Sequence, residues 1–218
     1  RQGRLNHGLP AEVDVAAFEN INTVYREAVS KYGSNTAFSS MGREVSYAEL
    51  DQLSGAFASW IQNHTNLQPG DRIALQLPNI LQYPIAMFGA IRAGLVVVNT
   101  NPLYTAREMK HQFTDSGATA LIILSDLLPK YDAIKSDTTI RTVITTSATE
   151  LLDPSSAPSI EGTVSLSSAV ETGAKTAEFK RPAVEKEELA MLQYTGGTTG
   201  VSKGAALSHN NVLANCIQ

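Results

Sequence analysis

Residues 72–99 read RIALQLPNILQYPIAMFGAIRAGLVVVN, and this stretch decides the fold. Arg72–Leu77 is a short apolar run ended by Pro78–Asn79, the pattern of a strand. Ile80–Ala93 reads as a helix with Pro84 in its first turns, where a missing N–H costs little, and Gly94 closes it. Leu95–Asn99 is β-branched and shows no polar alternation, as a strand buried on both faces would. Strand, helix and strand in this order imply two parallel neighbours joined by a crossover.

The same alternation continues downstream. Thr105 and Glu108 form a capping box opening a helix over Ala106–Asp115. Thr119–Ser125 is the next expected strand, Asp126–Lys135 a helix and Arg141–Thr146 a further strand. Upstream, Ile21, Val24, Tyr25, Ala28, Val29 and Tyr32 recur at helical spacing and Gly33 is a stop. Thr36–Ser40 and Glu44–Val45 read as short strands around Met41–Gly42–Arg43. Ser46 and Glu49 are a second expected capping box, for a helix with Leu50, Leu53, Phe57, Trp60 and Ile61 on one side. The expected fold class is therefore α/β, with a mostly parallel sheet covered by helices on both faces. Residues 1–20 are expected to be an N-terminal arm, and residues 21–218 part of one larger domain. Within it, residues 147–188 turn Ser-, Ala-, Pro- and Glu-rich and read as a surface excursion, with only Val164–Val170 suggesting structure. Leu189–Gln193 then re-enters the interior as a strand.

Bulk properties exclude several functions. Apolar residues make up 43% of the chain and charged ones 17%, with a net charge of -4 and a pI near 5.6. That profile is globular and advertises no nucleic-acid partner. Cys216 is the single cysteine, which leaves no disulfide framework and suits a reducing cytoplasm. It reads as a small buried residue on a helix. The longest apolar stretch, Ile85 to Val98, is interrupted by Arg92 and falls short of the roughly 18–20 residues of a membrane span. The chain opens on Arg1 and closes within Asn211–Gln218, which reads as a helix just begun. A longer parent protein is expected.

Directly after the strand at Leu189–Gln193 comes YTGGTTGVSKGA, residues 194–205. Gly196, Gly197, Gly200 and Gly204 remove side chains that would block close approach, so successive backbone N–H groups can converge on an anion. The hydroxyls of Thr195, Thr198, Thr199 and Ser202 are neutral donors suited to phosphate oxygens. Lys203 adds one compact positive charge. A Walker A loop needs its lysine after the final glycine and a helix at once; here Lys203 precedes Gly204 and Ala205–Leu207 reads as a strand. Ser208 then caps the helix that follows. The layout is strand, loop, strand, and the dinucleotide fingerprint G-x-G-x-x-G is absent from it.

Tyr194–Gly204 resembles the phosphate-loop signature [YS]-[ST]-x-G-T-T-G-x-P-K-G of the adenylate-forming superfamily, departing only at Ser202, where proline is usual. Leu77–Pro84 and Phe88–Gly94 resemble an early segment of the superfamily, where a strand leads into a helix ending in Ala-Gly, while Asn99–Thr105, Leu192–Tyr194, Ser208–Asn211 and Leu213–Asn215 are similar to bacterial long-chain fatty acid–CoA ligases. The likeness runs from about residue 10 to the end. It implies ATP-dependent activation of a long-chain fatty acid to an acyl-adenylate, then transfer to coenzyme A, with Mg²⁺ as the metal. By motif position the resemblance assigns Tyr194, Thr195, Gly196, Gly197, Thr198, Thr199, Gly200, Val201, Ser202, Lys203, Gly204 and Ala205 to the ATP phosphates, with Thr195 also a metal contact. It assigns no catalytic residue here, since the family's catalytic lysine, Mg²⁺-binding acid, adenine and ribose residues and mobile domain are expected beyond Gln218. A cytoplasmic homodimer with peripheral contact at the inner membrane is also implied. Two alternatives stay open: a medium-chain, aryl or amino-acid substrate, and a non-catalytic nucleotide- or lipid-binding module.

Other polar residues read plainly. His7, His64, His111 and His209 lack metal-ligand spacing and are expected in surface or capping roles, with His209, just after the loop, the least ordinary. Phe57 and Trp60 are expected in the core. Arg92 is expected to meet a helix C-terminus or a carboxylate.

Overall fold

The structure is a computed structural model that describes residues 18–176, 179–195 and 202–217. Its frame is a seven-stranded sheet in the order β7-β6-β5-β3-β4-β8-β9. The strands are β3 (Arg72–Gln76), β4 (Val96–Asn99), β5 (Ala118–Leu124), β6 (Thr142–Thr146), β7 (Val164–Ser165), β8 (Leu189–Thr195) and β9 (Lys203–Ser208). All neighbours are parallel except β9, which runs antiparallel to β8. The stretch at residues 72–99 supplies the centre: Ile73 is level with Val97 of β4 on one side and Ala120 of β5 on the other.

Period-two alternation divides each strand between two cores. Ile73, Leu75, Val97, Ala120 and Ile122 face α2 (Tyr47–His64), α3 (Gln82–Arg92) and α6 (Leu166–Ala174). Ala74, Val98, Leu121 and Ile123 face α4 (Ala106–Ser116) and α5 (Leu128–Asp132). With both faces covered, the central strands have no need of polar residues. Phe57 and Trp60 of α2 lie in the first core, with their rings stacked 5.9 Å apart. A third, smaller core joins Tyr25 of α1 (Ile21–Tyr32) to Val45 of β2 (Arg43–Ser46), Leu50 and Ile85. β1 (Thr36–Ser40) pairs antiparallel with β2 through the turn at Met41 and Gly42, both at positive φ.

Local signals held where two of them agreed. Both halves of the Thr105–Glu108 capping box are present, and Gly117 ends α4 at φ 63°. Only half of the Ser46–Glu49 box forms: Ser46 accepts from the Glu49 N–H, but the Glu49 carboxylate is drawn to Arg43 at 2.7 Å. The helix expected over Asp126–Lys135 is broken, because Pro129 offers no N–H inside it. A 3₁₀ turn at Ser125–Leu127 precedes α5, and a second lies at Lys135–Asp137.

The expected surface excursion at residues 147–188 is in part interior. It supplies β7 and α6, and Leu166, Ala169 and Phe179 join the first core. Leu166, Ala169 and Gly173 form a narrow stripe on a serine-rich helix, which composition alone conceals. Gly173 lies so close to α2 that a Cβ there would run into the Ala56 carbonyl. Cys216, expected to be buried, is exposed on α7 (His209–Ile217), where it borders an apolar groove shared with Ile21 and Val24 of α1. The N-terminal arm expected over residues 1–20 lies outside the described residues except for its last three.

Candidate phosphate-binding site

β8 enters the sheet beside β4, with Met191, Leu192 and Gln193 level with Val97, Val98 and Asn99. On its other side β9 pairs with it through Gln193↔Ala205, Tyr194↔Gly204 and Thr195↔Lys203. The expected strand–loop–strand layout is therefore present, and the hairpin ladder persists to the last residue before the loop and resumes at Lys203. Gly196, Gly197, Thr198, Thr199, Gly200 and Val201 lie outside the described residues. The six others of the twelve-residue string form the two stems. Thr195 and Lys203 stand opposite one another and both are exposed, so a hydroxyl and an ammonium are presented together at the loop's base.

The packing behind this pair is tight. Tyr194 is buried, and its hydroxyl donates to Asp115 Oδ2 at 2.6 Å. Burial first, and then the adjoining carboxylate, push the phenol pKa well up, so the group stays a neutral donor. Opposite it Gly204 leaves no room: a Cβ would stand 2.9 Å from the Tyr194 ring. The glycine is thus required by close approach of an aromatic side chain. Ser202, the first described residue after the loop, has its carbonyl oxygen 2.9 Å from His111 Nε2.

Below the stems, a crevice of about 500 Å³ opens at the carboxyl ends of β3, β4 and β8, with Tyr194 in its wall. Open α/β sheets place ligands in such crevices. A chain of amides and a phenol fixes its shape: Tyr83 donates to Asn99 Oδ1 at 2.8 Å, and Asn99 Nδ2 donates to Gln193 Oε1 at 2.8 Å. Gln112 Nε2 of α4 donates to the Asn99 carbonyl at 2.8 Å. No residue lining the crevice carries a formal charge.

The remaining expectations resolve individually. His64 Nε2 lies 2.9 Å from Thr176 Oγ1. His209 is buried, its Nδ1 accepting from the Ile21 N–H at 3.4 Å, and desolvation lowers its pKa. His7 lies outside the described residues. Arg92 does meet a carboxylate: it pairs with Asp51 at 2.9 Å and lies against the rings of Tyr25 and Phe179. Among the described residues no group of three or more His, Cys, Asp or Glu could hold a metal. No helix among them is long and apolar enough to cross a membrane. Sequence reasoning missed His111 and Asp115. Their spacing of four on a well-capped helix put them on one face, but nothing in the sequence said which loop that face meets.

The profile of the AMP-binding enzyme family matches residues 25–218. The chain belongs to that family. Among curated AMP-binding relatives, the long-chain-fatty-acid–CoA ligase of Salmonella typhimurium is 38% identical over 96% of this chain and 40% of its own length. The enzyme of the same name from Bacillus subtilis is 31% identical over 90% of this chain and 38% of its own. The chain thus spans about two-fifths of the curated relatives it matches. A crystal structure of a long-chain-fatty-acid–CoA ligase from Archaeoglobus fulgidus superposes with a TM-score of 0.76 at 26% identity, covering 90% of this chain and 38% of that one. An anthranilate CoA ligase solved with anthranoyl-AMP reaches 0.77 at 19% identity over 88% of this chain and 35% of that one, a likeness of fold alone.

Proposed function

We propose that this chain supplies the phosphate-binding part of an ATP-dependent ligase that activates a long-chain fatty acid, first to the acyl-adenylate and then to acyl-CoA. The observation that carries the reading is the pairing of exposed Thr195 and Lys203 at the base of a Gly/Thr loop, over the carboxyl ends of parallel strands. In the first step a carboxylate oxygen forms a bond to the α-phosphorus as the bond to the β-phosphate bridging oxygen breaks and pyrophosphate leaves. Negative charge grows on the leaving oxygens. An ammonium and a hydroxyl meeting those oxygens would stabilise that charge more than they stabilise bound ATP, which is what speeds the step. In the second step the coenzyme A sulfur attacks the acyl carbonyl and AMP departs.

Mg²⁺ would supply further charge neutralisation on the phosphates, and the Thr195 hydroxyl, a hard neutral oxygen, suits it. The long-chain preference is supported by the relatives' names and by the similarity of Asn99–Thr105 and Leu192–Gln193 to such ligases. A cytoplasmic homodimer touching the inner membrane peripherally belongs to the same proposal, because its substrate partitions into lipid.

The test is carboxylate-dependent pyrophosphate release by the full-length protein, with fatty acids of graded length, an aryl acid and amino acids. Release should peak with long acids, and Thr195→Ala should lower it by about 10²-fold, the effect of removing one preorganised donor. Release peaking with an aryl or amino acid would replace the substrate class. A folded protein silent with every acid would leave a nucleotide- or lipid-binding module.

A further inference from the structure

The two stems of the loop are held by a single helix. Before the loop, the Tyr194 hydroxyl donates to Asp115 Oδ2 at 2.6 Å. After it, the Ser202 carbonyl oxygen lies 2.9 Å from His111 Nε2; a carbonyl can only accept, so this nitrogen carries the proton. His111 and Asp115 are four residues apart on α4 and share one face. Their partners are eight residues apart in sequence and lie on opposite strands of the hairpin.

We infer that His111 and Asp115 are positioning residues, which brace both stems of the hairpin against α4 and so fix the place of the Thr195 hydroxyl and the Lys203 ammonium between them. The inference rests on the phosphate-loop reading above. α4 is suited to the task because both of its ends are fixed, by the reciprocal Thr105–Glu108 cap and by Gly117 in the left-handed region. Its inner face, through Met109 and Phe113, is packed in the second core against Val98 and Leu121. The ladder of β8 to β4 ends at Gln193, and beyond it, among the described residues, the two stems are paired in the sheet only with each other. Holding the stems that carry Thr195 and Lys203 in place before ATP arrives removes part of the entropic cost of binding its phosphates. The effect should therefore be read in ATP binding and not in binding of the acid.

The experiment uses the full-length protein, with pyrophosphate release followed while ATP and fatty acid are varied in turn and melting temperature recorded in parallel. His111→Leu and Asp115→Leu should each raise the KM for ATP about five- to tenfold, the worth of one hydrogen bond, with the KM for the acid within about twofold of wild type. His111→Gln keeps a donor and Asp115→Asn keeps an acceptor, and each should return the KM for ATP to within about twofold. Tyr194→Phe combined with Asp115→Leu should cost no more than either change alone, because both remove the same bond. An unchanged KM for ATP in folded leucine variants overturns the inference. So does an equal rise in both KM values that follows the melting temperature and is not recovered by glutamine or asparagine. If the wild-type protein releases no pyrophosphate with any acid, the proposed reaction falls, and hydrogen exchange of residues 194–205 decides the brace by itself. Faster exchange in His111→Leu than in wild type supports it, and equal rates sink it.

Discussion

His209 is 4% exposed and has no counter-charge within hydrogen-bonding distance among the described residues; its Nδ1 lone pair is occupied by the Ile21 N–H. Desolvation holds its pKa below the ordinary 6.5, with Glu188 opposing more weakly. Protonation would place a cation in the packing of α1 against α7 and would remove the lone pair that Ile21 uses. Between the depressed native value and 6.5 the unfolded chain binds more protons than the native one, so stability falls as pH drops through that window. Denaturant midpoints measured from pH 7.5 to 5.5 should decline in wild type and decline less in His209→Gln. Equal slopes would show that the group titrates alike in both states. The sequence marked His209 as unusual only by its place after the loop. It could not say that the ring would be buried, because that depends on α1, whose contact with it spans 188 residues of chain.

At the scale of elements, the β1–β2 turn carries a local conflict. Met41 sits at φ 52° and Gly42 at φ 81°, a pair of positive values that suits a two-residue hairpin but not a long side chain. Met41 is 57% exposed, so the side chain gains little packing in return. Met41→Gly should therefore stabilise the protein by about 0.5–1 kcal/mol, the steric relief of a left-handed residue partly offset by a freer unfolded chain. Chemical denaturation would show a higher midpoint at unchanged slope, and a lower midpoint would mean that Met41 packs usefully. Elements such as β3, β4 and α4 were legible because propensity, pattern and breaker all agreed within a few residues. α5 was misjudged where Pro129 contradicted the apolar pattern, and α6 was nearly missed because three small or apolar residues were enough to pack it against α2. The strand–loop–strand layout that carries the proposed phosphate site was legible from composition and order, and the contact of His111 with Ser202 was not, because the two meet only once the sheet has formed.

For the whole molecule, the sheet gathers the carboxyl ends of β3, β4 and β8 at one edge of the crevice, and the described walls leave its opposite side open. The chain spans about 40% of the length of relatives such as the Salmonella typhimurium ligase. The reaction proposed needs groups that grip adenine, ribose and acid as well as phosphate. Residues 1–218 alone, supplied with ATP, Mg²⁺ and a fatty acid, should form no acyl-adenylate above background. Steady formation would show that the open crevice suffices.

The level pairing of Thr195 with Lys203 has a consequence for how this site can vary over evolutionary time. Along a strand, facing reverses with every residue. If one residue were lost from β9 while His209 stayed seated, the ammonium would be carried to the place of Gly204, against the Tyr194 ring. The length of β9 therefore obeys a parity rule, and single-residue insertions or deletions there would be purged even when the loop itself is left untouched.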